Sequence, residues 1–305
     1  RPGQLGSDRA IALLDATGQL SSWSSRRRAV SSVPAISPDG RQLACQIIST
    51  RGIDEIWIST VDHDDFHRLG TEPNADAYSP TWSPDSKRIA YQRYASDDKD
   101  GVYVMNVDGG EAKRIFTPEP GQGLYQANSW LPDGSGLLLT RWLNGVDRMA
   151  LLPMAGANAS GPPRPLALGE FATFGPTISP DGKVLAFQSL ETGKTTSYVV
   201  PFRPGGGTGR PVEVKTSGSL GHQWAADGKA LFVRDERNHL VKVAVTAGAE
   251  LTVSAPTEVC DLDALRVSRW TALPGGRFFM ILKNQNEDDI ASYNLVLNWA
   301  EILKQ

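Results

Sequence analysis

The sequence predicts an all-β fold, a six-bladed propeller of four-stranded antiparallel blades. Three observations carry that expectation: a recurring phrase, its spacing, and an unpartnered strand near the start. The phrase reads AISPDGRQLACQ from Ala35, TWSPDSKRIAYQ from Thr81 and SWLPDGSGLLLT from Ser129. It returns as TISPDGKVLAFQ from Thr177, QWAADGKALFVR from Gln223 and TALPGGRFFMIL from Thr271. Its turn position is held by Asp39, Asp85, Asp133, Asp181 and Asp227, then Gly275, in steps of 46, 48, 48, 46 and 48 residues. A fixed period in this range with several strands per unit marks propeller blades. A single domain over 1–305 follows, with repeats centred on 35–46, 81–92, 129–140, 177–188, 223–234 and 271–282.

Each element of the unit has a physical reason. Pro presets the first turn dihedral, Asp bonds nearby backbone, and Gly or Ser closes the turn. Ahead of the turn a short stretch ends in Ile36, Trp82, Trp130, Ile178 or Trp224. Behind it come apolar runs such as Leu43-Ala44-Cys45 and Leu185-Ala186-Phe187, the pattern of strands buried on both faces. A third strand is expected at 55–58, 102–105, 148–151, 197–200 and 240–243, and an outer one at places such as 112–115. The repeated aspartates are explained by turn chemistry, and Trp82, Trp130 and Trp224 by packing between blades. Only 299–305 reads as a helical turn.

Ile11–Ala16 matches the third strand of a blade, yet no inner pair precedes it. Ring closure is therefore expected through 10–23 with 290–299, Ile11–Ala16 pairing into the blade that holds 278–282. Such a latch removes the open edges of the ring.

Composition narrows function. The net charge of −3 at pH 7 gives no footprint for nucleic acid, and the cluster Arg26-Arg27-Arg28 reads as a solvated loop. No apolar stretch reaches the ~18 residues of a membrane span, so a membrane enters only through a segment absent from this chain. The chain starts at Arg1 without a methionine, as a processed product or excised domain would. Cys45 and Cys260 read as small buried hydrophobes that form no disulfide with each other.

Apparent chemical motifs mostly fall to turns. Gly193-Lys194-Thr195 lacks the upstream glycine of a phosphate loop, and 205–209 runs into a strand. His63 and His67 flank a hairpin and do not share a helix face. The loops 96–101 and 284–289 have oxygen ligands for adventitious calcium but lack the pattern of a calcium-binding loop. No serine sits in a nucleophile elbow. No cofactor is expected otherwise.

With these residues laid out, the unit P-x-W-S-P-D-[GS]-x-x-[IL]-A-[YF], followed by a strand like VYVMNVDGG, resembles the repeats of TolB-type, WD40-like propellers. The ordered pieces YVVPFRPGGG from Tyr198, QWAADGKALFV from Gln223 and NLVLNWAEILK from Asn294 resemble the C-terminal propeller of bacterial transmembrane serine/threonine kinases and related regulators. Ala226 for proline, Gly275 for aspartate and Leu131 for serine depart from the unit, and no kinase signature is present. The resemblance implies an extracytoplasmic or periplasmic module of a larger signalling protein, or a stand-alone TolB-like scaffold.

The functional expectation is a non-catalytic interaction or sensor propeller that binds a protein or small ligand at its loop-rich mouth. The alternative is a propeller enzyme or accessory, which needs His or carboxylate clusters on the channel; the chain has 4 His in all. The irregular residues ahead of the inner strands form the candidate surface: Tyr78, Tyr125, Phe171, Phe174, His222, Arg266 and Trp270. Aromatic and arginine anchors at a concave mouth are what binding sites use.

Overall fold

The computed structural model describes residues 8–284, apart from 71, 73, 96–98, 169–170, 204, 206–207 and 249. The described chain is all β, in six antiparallel sheets arranged as a propeller. Blade 1 runs Ala35–Ile36, Gln42–Ile48, Asp54–Thr60 and His67–Arg68 from channel to rim. Blade 2 runs Asp76–Trp82, Arg88–Tyr94, Gly101–Asn106 and Lys113–Phe116. Blade 3 begins Leu124–Trp130, Gly136–Leu143 and Val146–Ala155, and blade 5 begins His222–Trp224, Ala230–Arg234 and His239–Ala247. In both, the outermost place is shared by two short strands against the third. Blade 4 runs Thr173–Ile178, Val184–Ser189, Thr196–Pro201 and Val212–Glu213.

Blade 6 is assembled from both ends of the chain. Val267–Leu273 and Arg277–Leu282 form its inner pair, Ile11–Leu14 its third strand and Leu20–Ser22 its fourth. Ile11 pairs with Ile281 and Leu14 with Phe278, as the orphan strand required. The other half of the expected closure, 290–299, and the helical turn at 299–305 lie outside the described residues.

The core follows from strand alternation. Six apolar clusters are present among the described residues, one at each junction between blades. Leu43 and Cys45 pack against blade 6 while Ala44, between them, packs against blade 2. Leu185 and Phe187 likewise face blade 3, and Ala186 faces blade 5. Successive side chains point to opposite faces of a strand, so a sheet sandwiched on both sides reads as a continuous apolar run.

The phrase turns are closed by side chains. Ser37, Ser83 and Ser179 each donate through Oγ to the aspartate two residues on, at Asp39, Asp85 and Asp181. Each serine Oγ also accepts the backbone N–H five residues on, at Gln42, Arg88 and Val184. Blade 3 has leucine at that place, and Asp133 takes its hydroxyl from Ser135 instead, at 2.7 Å. Burial pushes the Asp39 and Asp85 carboxyls up, but their serine and backbone hydrogen bonds outweigh it, leaving both below the usual range. Asp133 and Asp181 are lowered chiefly by the Ser135 and Ser179 hydroxyls.

The basic cluster is more engaged than a solvated loop. Arg26 and Arg27 are exposed, but Arg28 pairs with Asp64 at 2.5 Å and lies over the Phe66 ring. This ties the segment before blade 1 to the hairpin between its outer strands.

Candidate functional site

First strands run from one face of the ring to the other and second strands run back. All phrase turns therefore lie on one face. The starts of first strands, the ends of second strands and the loops into third strands share the opposite one, the mouth. Each face opens into a cavity on the axis.

At the turn face the cavity is about 520 Å3, walled by Pro38, Pro84, Pro132, Pro180 and Pro274 with Trp82, Trp130 and Trp224. Its aromatic residues hold neighbouring blades together. Trp82 Nε1 donates to the Ala35 carbonyl at 3.0 Å and Trp224 Nε1 to the Thr177 carbonyl at 3.2 Å, each one blade back. Among the described residues no charged side chain lines this end.

The mouth cavity is larger, about 860 Å3. Ala35, Ile36, Trp224 and Ala272 line both cavities, which are thus the two halves of one axial channel. Arg9, Arg234, Arg269 and Lys283 line the mouth half, and among the described residues no Asp or Glu does. Arg234 ends the second strand of blade 5; its Nη1 donates to the Ser268 carbonyl and its Nε to Asn238 Oδ1, both at 2.8 Å. Burial lowers the Arg234 pKa, but an arginine so held stays charged at pH 7. Lys283, past the matching strand of blade 6, donates to Asp263 at 2.7 Å.

A buried polar group backs the wall. His222 is 8% exposed, with Nδ1 at 3.0 Å from Ser197 Oγ, which in turn contacts Ser219 Oγ at 2.8 Å. Burial pushes the His222 pKa down to about 4, so the ring is neutral at pH 7. Its Nε2 has no hydrogen-bond partner. Ser197 is fully buried, so this Ser–His contact has no open nucleophile. Among the described residues no three His, Cys, Asp or Glu side chains group to hold a metal ion.

The mouth is ringed by apolar side chains. Every exposed large hydrophobic among the described residues lies there: Val33, Tyr94, Leu124, Trp142, Val146, Phe171, Leu190 and Leu220. Several ride on rigid structure. Leu143 pairs with Val146 across the two-residue turn Asn144–Gly145, whose φ values of 52 and 76 are those of a tight primed hairpin turn. Arg148 Nη1 holds the Phe171 carbonyl at 2.9 Å.

A family model described as the TolB beta propeller domain matches residues 7–161 and 78–260, which together span most of the chain. The chain belongs to the TolB β-propeller family. The solved structure of a putative TolB from Agrobacterium tumefaciens is similar at a TM-score of 0.66 with 17% identity, covering 91% of this chain and 99% of that one. TolB from Acinetobacter baumannii is similar at 0.60 with 16% identity, over 93% of this chain and 65% of that one. An uncharacterized protein of Agrobacterium fabrum is 33% identical over 141 residues, 44% of this chain and 43% of its own length. The chain thus spans less than half the length of that curated relative and about two thirds of the Acinetobacter TolB.

In this TolB-family ring, the seven residues singled out by sequence all sit towards the mouth, but they do not form one surface. His222 and Trp270 line the cavity; Trp270 is only 5% exposed and packs edge-on to Phe278. Tyr125 is 7% exposed and packs edge-on to Phe116 between blades 2 and 3. Tyr78 and Phe174 are half-buried on the first strands of blades 2 and 4. Burial, then the Asp76 and Asp54 carboxylates, push the Tyr78 hydroxyl up. Phe171 and Arg266 are exposed, Arg266 donating to the Asn284 carbonyl at 3.0 Å.

Sequence reasoning passed over the cavity cations and the rim on the second-to-third-strand loops. The signal was partial: Arg234 and Lys283 stand seven and eight residues after the turn residue of their repeats, but Arg93 and Arg141, at the same place in theirs, do not line the cavity. His63 and His67 are both exposed on the outer hairpin of blade 1, away from the channel. The calcium candidates at 96–101 and 284–289 lie largely outside the described residues.

Proposed function

We propose that this TolB-family propeller is a non-catalytic interaction module that docks a partner protein on its mouth face. The observation that carries the reading is the segregation of exposed apolar side chains: eight on the mouth face and, among the described residues, none on the turn face. Exposed apolar side chains scattered at random would fall on both faces, and their gathering on one supports an interaction surface there. The rim is also held rigid by the Asn144–Gly145 turn and the Arg148–Phe171 contact, which lowers the ordering cost of docking.

The same mouth would serve an extracytoplasmic module of a larger signalling protein, as the resemblance to kinase-linked propellers implies. It would equally serve a stand-alone TolB-like scaffold. The enzyme alternative has less support: the buried Ser197–His222 contact has no accessible nucleophile.

The test is site-specific photo-crosslinking in the native host. A photo-reactive residue at Phe171 or Leu220 should give discrete protein adducts that disappear when Trp142→Glu is added. The same residue at Lys183 or Lys229 on the turn face should give none. Equal adduct patterns from both faces would refute the assignment.

A further inference from the structure

Four cations stand at one place in the repeat, where second strands reach the mouth: Arg93, Arg141, Arg234 and Lys283. Three of them are held. Arg93 pairs with Glu72 at 2.7 Å and Asp100 at 3.7 Å, and Lys283 with Asp263 at 2.7 Å. Arg234 donates to the Ser268 carbonyl and to Asn238 Oδ1, both at 2.8 Å. Arg141 is the exception. Among the described residues it makes no hydrogen bond or ion pair, and its Nε is buried without an acceptor. The side chain is half-buried, and its cross-strand neighbours are Tyr125, a core residue, and Arg148, a second cation. The carboxylate of the same hairpin does not compensate it: Asp147 stands opposite Trp142, and alternation sends that pair to the other face. Around Arg141 blade 3 exposes Leu124, Trp142 and Val146 at the rim. A guanidinium nitrogen withdrawn from water without an acceptor costs stability. The chain alone bears that cost, and a carboxylate brought to the rim would remove it.

We propose that the blade 3 rim takes an acidic segment of the partner protein, with a Glu or Asp side chain on Arg141 and a neighbouring apolar side chain against Leu124 and Trp142. This rests on the mouth being the docking face and names the chemistry of what docks there. The guanidinium fork holds a carboxylate through two parallel hydrogen bonds, and arginine and tryptophan are the anchors that dominate protein interfaces. The Asn144–Gly145 turn fixes the hairpin that carries both, so their placement precedes binding.

The test selects random peptides displayed on phage against the full chain, each peptide fused at its C-terminus so that only side-chain carboxylates are offered. Enriched peptides should carry Glu or Asp beside Trp, Phe or Leu. Their amidated synthetic versions, followed by fluorescence polarisation, should bind Arg141→Met about tenfold more weakly. Changing their acidic residue to its amide should cost as much in the unaltered chain and nothing further in Arg141→Met, the coupling of a double-mutant cycle. Lys183→Met, on the turn face, should leave affinity unchanged. Arg141→Met should meanwhile keep or raise the urea midpoint, which the loss of a purely structural residue would lower. No enrichment, enrichment without acidic residues, additive losses or a lowered midpoint would each overturn the assignment. The wider reading is judged separately. Crosslinks from Phe171 and Leu220 that persist in Arg141→Met leave the mouth as the docking face and remove Arg141 from it, whereas an unaltered chain that gives none there overturns both.

Discussion

At the turn end of the channel, Ser37, Ser83 and Ser179 join each aspartate to its own hairpin, and tryptophan indoles reach back to the preceding blade. At the mouth end, the same strands finish in exposed aromatic side chains and a group of cations. The two ends are made by the same repeat read in opposite directions. One end is closed by hydrogen bonds within and between blades, Trp130 Nε1 excepted, and is repeated; the other exposes apolar and charged groups and differs from blade to blade. The proposed docking on the mouth would separate recognition from stability along the axis, and substitutions at the two ends should then fail in different assays.

The largest contrast is expected between two tryptophans. Trp82→Ala, at the turn end and 5% exposed, should cost about 3–5 kcal/mol in urea denaturation. Trp142→Ala, at the rim and 47% exposed, should change stability by no more than about 0.5 kcal/mol. Similar losses from both would erase the distinction.

Acid should separate the two ends in sequence. The folded His222 pKa, about 4, lies below its ordinary value of 6.5, so the unfolded chain binds the extra proton between these values. Stability therefore falls as pH drops from about 6.5 towards 4, by up to about 3 kcal/mol. The turn aspartates are also lowered; their contribution is present above about 3.9 and fades only as pH falls below it. His222→Gln should flatten the upper window and leave the lower one. Denaturant midpoints measured across pH 3–8 decide this.

A smaller effect is expected from Ser179→Ala, which leaves the Val184 N–H and the Asp181 carboxylate without their shared hydroxyl. It should cost about 1–3 kcal/mol and leave the crosslinks from Phe171 intact. Smallest of all is Leu220→Glu at the rim, 56% exposed. It should move stability by less than about 0.5 kcal/mol while removing the adducts formed nearby.

The turn end was legible in the sequence because its chemistry is local. A serine, an aspartate two residues on and a backbone N–H five residues on lie in one hairpin, so the phrase contains its own explanation. Closure by Ile11–Leu14 was legible because a third-strand pattern without its inner pair has only one place to go. The mouth was less legible for two reasons. Its cations meet only when blade 5, blade 6 and the chain start are brought together, and Arg9 and Lys283 lie at opposite ends of the described chain. Register is the second reason. The first strand of blade 3 slips between Ala127 and Ser129, so Trp130, Ala127 and Tyr125 are buried where strict alternation from Trp130 would bury 128 and 126. Similar shifts fall between Tyr78 and Thr81, between Phe174 and Thr177, and between Val267 and Arg269. One extra residue reverses every face beyond it. That is why Tyr125, counted as surface from the sequence, is core.

The antiparallel seam that closes blade 6 also has a mechanical consequence. Ile11 sits opposite Ile281, and the Leu282 N–H donates to the Ala10 carbonyl at 2.9 Å, so the chain enters and leaves the seam side by side. Tension applied between residues 8 and 284 would therefore load its hydrogen bonds one pair at a time, from Ile11 towards Leu14, in the manner of a zipper. A seam with its ends at opposite tips would share the load across all its bonds in shear. The ring should accordingly open at low force by peeling at blade 6, with blades 2 to 4 still stacked when it does.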